Sequence, residues 1–237
     1  MSDTPVQVED IKLTIIVGSG PTTFEEPIKH ALCKIADIQG RGPNPPAVSI
    51  EIDVTTPKDK METRAFIHVQ TTIRDLLLKI SEIKTIVLYS LHLTRNHKTN
   101  KTDCPQQDRT HMKFLRHLIK MGKENKVPYL NLGVTADVDD EYAWGVLTTA
   151  AKDLNNSLHM PSLKGVCLVL QFRDVPGIGM YNLPYNLVFR RSRLLARLRE
   201  LQEGKKNLVV RYYVGMSFGG KFIGMKCGVR RLKKLRA

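Results

Sequence analysis

Five arginines fall within ten residues of the segment LVFRRSRLLARLRELQEG (187–204). Arg190, Arg193 and Arg197 recur at i, i+3 and i+7, with Arg191 and Arg199 beside them. On a helix this spacing lines guanidinium groups along one flank, and each planar fork donates two parallel hydrogen bonds to a phosphate or carboxylate. The chemistry is anion recognition, not bond making. Leu187, Leu194, Leu195, Leu198 and Leu201 form an apolar stripe on the same helix. An ordinary solvated helix face has this pattern, but so do a phosphate-binding helix and a helix lying on an anionic bilayer.

The charge around the helix favours a polyanion. Residues 186–237 hold 15 Lys and Arg against 2 acids, a net of +13, whereas residues 1–185 hold 22 against 21, a net of +1. So concentrated a field attracts nucleic acid or an acidic membrane surface. Lys205, Lys206, Arg211, Arg230 and Arg231 extend the basic set. In the terminal RRLKKLRA, the residues Lys233, Lys234 and Arg236 are spaced like a nuclear import signal that an importin reads; the plainer reading is a basic chain end.

Other residue sets suggest other chemistry. Gly18-Ser19-Gly20 after an apolar strand supplies two glycines of a dinucleotide-binding turn, but the third position is Thr23. Glu25 and Glu26 would repel phosphate at the helix start, and there is no G-K-[ST]. The glycines are read as a turn, leaving a nucleotide-dependent enzyme as the outlier. His92, His97, Cys104, His111 and His117, with Asp103 and Asp108, suggest a metal cluster, yet no pair has ligand spacing on one helical turn. Glu51 and Asp53, near Lys58 and Lys60, loosely suggest a nuclease carboxylate pair; alternation along a half-exposed strand explains them more simply. Neither G-x-S-x-G nor H-E-x-x-H occurs. The expectation is therefore a protein without catalytic residues, cofactor or metal.

The elements that would carry these residues follow from periodicity. The sequence predicts a polar arm over 1–10, a strand, turn and helix from Lys12, a Pro/Gly-rich linker at 40–47, and strands at 48–55 and 64–71. A short helix at 71–80, a strand at 84–93, a helix at 109–121, a strand at 129–134 and a helix at 137–158 follow. The last elements are a strand at 165–172, the arginine helix capped by Asn186 and ended by Gly204, and a hairpin of strands at 208–216 and 221–229. In that hairpin Tyr212 shares a face with Val210 and belongs to the core, while Tyr213 and Arg211 face the other way and could stack a base. The expected fold class is α+β: one compact domain over 11–229, a mostly antiparallel mixed sheet flanked by helices, a flexible arm at 1–10 and a basic tail at 230–237. Four widely separated cysteines fit a reducing compartment, cytosol or nucleus. No apolar run approaches the roughly 18 residues that span a bilayer.

The polar N-terminal arm, the early Pro-rich linker GRGPNPPA, the α+β layout, the basic excess and the lack of a catalytic signature together resemble rhabdovirus matrix proteins, and the import-like terminus those of plant viruses that assemble in the nucleus. The resemblance implies a non-enzymatic virion protein, found in the host nucleus or cytoplasm and peripheral at membranes. Its partners would be viral ribonucleoprotein or RNA, an anionic membrane surface, further copies of itself and an importin. The arginine helix and terminal tail would make the RNA or lipid contacts. A dedicated RNA-binding nucleoprotein or silencing suppressor is the alternative. The sequence departs from many animal-virus members at NPPAV (44–48), where a PPxY budding motif would need tyrosine, and it holds no PTAP.

Overall fold

The computed structural model describes residues 8–17, 22–56, 63–95, 105–124, 126–137, 141–156, 162–173, 185–204, 208–218 and 221–228. Strands and helices alternate along the chain: β1 (Val8–Ile16), α1 (Thr22–Gly40), β2 (Ala47–Thr56), α2 (Thr63–Glu82), β3 (Ile86–Arg95), α3 (Pro105–Lys123), β4 (Tyr129–Ala136), α4 (Glu141–Asn155), β5 (Gly165–Phe172), α5 (Tyr185–Glu203), β6 (Val209–Phe218) and β7 (Lys221–Gly228). All seven strands join one sheet in plain chain order. The pairings from β1 through β6 are parallel, and only the β6–β7 hairpin is antiparallel.

This overturns the expected α+β domain with a mostly antiparallel sheet; the fold is α/β. The run of strands behind that expectation disappears because residues 64–71 are helical, so helix follows strand from β1 to β6. Parallel sheets are normally covered on both faces, so their strands read as continuous apolar runs. Here each strand is laid beside the one before it, so every crossover steps the same way. Crossovers of one hand then place every helix on the same face. The helices accordingly pack in sequence, α1 on α2, α2 on α3, α3 on α4 and α4 on α5. The other face of the sheet has no helix among the described residues, and its strands keep the polar–apolar alternation usual in antiparallel sheets.

The covered face is built of in-register rungs. Ile11, Ile50, Tyr89, Leu130, Val166 and Val210 form one rung across β1 to β6, all buried, and Leu13, Ile52, Leu91, Leu132, Leu168 and Tyr212 form the next. Fully burying each such side chain contributes about 1.5–3 kcal/mol. The helices supply the matching layer with Ile28, Ile35, Ile73, Leu76, Leu115, Leu118, Leu147, Leu194 and Leu198.

Two further expectations change. Residues 64–71, expected as a strand, form the first half of α2. Phe66, Val69, Gln70, Ile73, Leu76, Leu77 and Ile80 are its buried positions, a spacing of three and four that only a helix produces. The first strand also starts at Val8, so residues 8–10 of the expected arm belong to the sheet. The linker leaves α1 through Gly42, whose φ of 97° suits glycine and strains other residues.

Candidate binding surface

The uncovered face is the other half of every strand. Lys12, Glu51, Ser90, Asn131, Cys167 and Arg211 stand side by side across β1 to β6. One rung toward the strand starts lie Asp10, Ser49, Leu88, Tyr129, Gly165 and Val209, and one rung toward the strand ends lie Thr14, Asp53, His92, Gly133, Val169 and Tyr213. Charge is polarised across these rungs. Asp10, Glu51 and Asp53 stand at the β1–β2 side, where only Lys12 opposes them, pairing with Glu51 at 3.4 Å. At the β5–β6 side Lys164 and Arg211 are exposed and make no ion pair among the described residues.

Two glycines let rings lie flat on this face. A Cβ at Gly133 would sit 2.2 Å from His92 Nδ1, and one at Gly165 would sit 2.9 Å from Tyr129 Cδ1. The imidazole thus leans from β3 across β4, where its Nε2 shares a 2.7 Å hydrogen bond with Thr135 Oγ1. Burial lowers the His92 pKa, and the Asp53 charge on the neighbouring strand opposes that shift. The Gly133→Ala variant is expected to push the ring off Thr135, costing about 0.5–1.5 kcal/mol for the lost hydrogen bond. His92, returned to water, would titrate closer to an ordinary histidine. An NMR pH titration of the imidazole reads this directly; an unchanged His92 titration counts against the arrangement.

Tyr129 and Val209 are about half exposed, at 48% and 51%, and with Leu88, Asn131, Cys167 and Arg211 they line a groove of about 730 Å³ near the strand starts. Asn131 Nδ2 donates to Ser90 Oγ at 3.0 Å, while its Oδ1 is buried with no partner among the described residues. None of these residues except Arg211 stood out in the sequence. The available signal was glycine inside the predicted strands β4 and β5, which marks a close approach.

The arginine set divides. On α5 Leu194, Leu198 and Leu201 are buried in the core, and Arg193, Arg197 and Arg199 are exposed. Helical spacing puts Arg193 and Arg197 on one flank of that stripe and Arg199 on the other. Arg197 Nη1 donates to Glu200 Oε2 at 2.8 Å, and Asn155 Nδ2 donates to the same oxygen at 3.2 Å. Arg211 lies elsewhere. Its strand neighbours Val210 and Tyr212 point under the helices, so Arg211 belongs to the uncovered face, away from α5. The side chains of Arg190 and Arg191, and residues Lys205, Lys206, Arg230, Arg231, Lys233, Lys234 and Arg236, lie outside the described residues, as do Gly18, Ser19 and Gly20.

Among the described residues the histidine cluster does not converge. His92 is on the uncovered face, whereas His111 and His117 on α3 are buried beneath the helix layer. His117 Nδ1 shares a 2.8 Å hydrogen bond with the Tyr89 hydroxyl, and its Nε2 shares one of 2.9 Å with Ser81 Oγ. Among the described residues no three His, Cys, Asp or Glu side chains are placed to hold a metal ion; His97, Asp103 and Cys104 lie outside them. No described helix is long and apolar enough to cross a membrane. No protein-family model matches the chain, and no curated protein matches it.

Proposed function

We propose that this protein is a non-enzymatic assembly protein that binds RNA, free or as ribonucleoprotein, through its basic C-terminal segment. The observation that carries this reading is the confinement of charge, net +13 in residues 186–237 against +1 in the rest. Counterion release from phosphates makes such a segment a nucleic-acid binder whose affinity falls steeply with salt. RNA is favoured over a bilayer because Leu194, Leu198 and Leu201 are engaged in the core. A helix that lies on a membrane inserts its apolar stripe, and these three leucines of the stripe are already buried. The matrix-type reading, with its lipid arm, then has only Coulombic attraction to an anionic surface.

The test is binding of fluorescein-labelled single-stranded RNA by anisotropy over a salt series. Replacing Arg190, Arg191, Arg193 and Arg197 by Gln, which keeps helix propensity, is expected to weaken binding. The slope of log K against log salt should become shallower by as much as about 3, roughly 0.7 per lost phosphate contact. An unchanged slope in a folded variant removes the arginine helix from the interface. Flotation with phosphatidylserine vesicles that survives physiological salt, without RNA, returns the assignment to a membrane-linking matrix role.

A further inference from the structure

The groove on the uncovered face has its own chemistry. Strands repeat every 4.7–4.9 Å, whereas packed helices need about 8–10 Å. A single helix layer stepping in time with the strands therefore lies on the outside of a curve, and the bare face is its hollow side. The groove there is within the range of small-molecule sites, roughly 300–1,000 Å³. Leu88, Tyr129 and Val209 give it an apolar wall, and Gly165 leaves room for the Tyr129 ring. Among the described residues no acid lines it, while Arg211 and Lys164 do. The complementary occupant has an apolar body and a negative head.

We propose that this groove binds an amphipathic carboxylic acid, its carboxylate held by Arg211 and its apolar body laid over Leu88, Tyr129 and Val209. The guanidinium fork matches a carboxylate in two parallel hydrogen bonds. Arg211 is exposed, so this pair holds the ligand together with the apolar contact and not alone. Arg211 points away from α5, so the groove is separate from the arginine helix.

Cys167 provides the readout. Its thiol is half-buried in the groove, whereas Cys33 is exposed on α1 and serves as an internal reference. Full-length protein is alkylated with iodoacetamide under native conditions, and each cysteine is followed by peptide mapping, with decanoate as the probe. Decanoate should slow labelling of Cys167 saturably and leave Cys33 unchanged, whereas decanol and acetate should protect far less. Calorimetry should show decanoate binding weakened roughly tenfold or more in Arg211→Gln, with partial retention in Arg211→Lys. Val209→Glu, which places a like charge beside the ligand, should abolish protection. No saturable protection, equal protection by decanol, or wild-type decanoate affinity in a folded Arg211→Gln protein overturns the proposal.

Discussion

Acidification from pH 7 to pH 4 is expected to remove about 6 kcal/mol of folding stability, roughly 3 kcal/mol from each of His111 and His117. Burial on α3 pushes the His111 pKa down to about 3; Arg95 adds to the shift, and a backbone hydrogen bond with Val54 opposes it. Burial pushes His117 down to about 4, opposed by a backbone hydrogen bond with Leu77, with smaller contributions from Lys120, Glu124 and Lys126. An unfolded histidine takes up its proton near pH 6.5. Below that pH the unfolded chain binds protons that the folded core refuses. The contribution is therefore whole above pH 6.5 and is lost as pH falls toward 4 for His117 and 3 for His111.

The loss is comparable with the 5–15 kcal/mol that holds a typical domain together. Stability from urea titrations should fall by up to about 2.7 kcal/mol per pH unit between pH 6 and pH 4, the slope for two protons. His117→Asn keeps a polar partner for Tyr89 and Ser81 and should halve that slope. A flat profile from pH 7 to pH 4.5 would place both imidazoles in water and contradict the packing of α3 on the sheet.

Truncating Phe172 to alanine is the second large effect, a loss of about 3–5 kcal/mol. Phe172 ends β5 with 1% of its surface exposed, and its ring centroid lies 6.0 Å from that of Trp144 on α4, tilted by 44°. Deleting the ring forfeits its transfer energy and opens a void between α4 and the sheet. The readout is built in, because Trp144 is the sole tryptophan and is itself 3% exposed. Its emission should shift to the red in the native variant as water gains access, alongside a lower urea midpoint at unchanged m-value. Unchanged emission and stability would mean that the two rings do not share a core.

Both predictions rest on side chains whose inward orientation is periodic. On α3 the sequence spacing sends Met112, Leu115, Leu118 and Ile119 inward and Lys113, Arg116 and Lys120 outward; the structure buries the three of the first set after Met112, leaves Met112 partly buried and exposes the second set. Tyr212 is inside and Tyr213 on the opposite face of β6 for the same reason, at period two. The hairpin of β6 and β7 and the end of α5 before Gly204 were also legible, because turns and caps are local chemistry. Residues 64–71 show the limit: expected as a strand, they join a helix whose period emerges only when the run is followed on to Ile80.

The uncovered surface was not legible. Leu88, Tyr129, Asn131, Cys167 and Val209 come from four strands spread over some 120 residues and meet only through register. The separation of Arg211 from α5, and of His92 from His111 and His117, was hidden likewise. These residues are close in sequence or alike in type, but the sheet stands between them.

The sequence alone determined which half of each element faces a core, where the charge lies and which motifs are missing, because period, composition and turn chemistry act over a few residues. Tertiary structure decided that β1 to β6 run parallel in chain order and that the described helices share one face, leaving the other face uncovered with a groove. Alternation reports that one face of a strand is buried. It carries no information on the direction of the strand's neighbours, which is set by how helix and strand pack after the chain has crossed over.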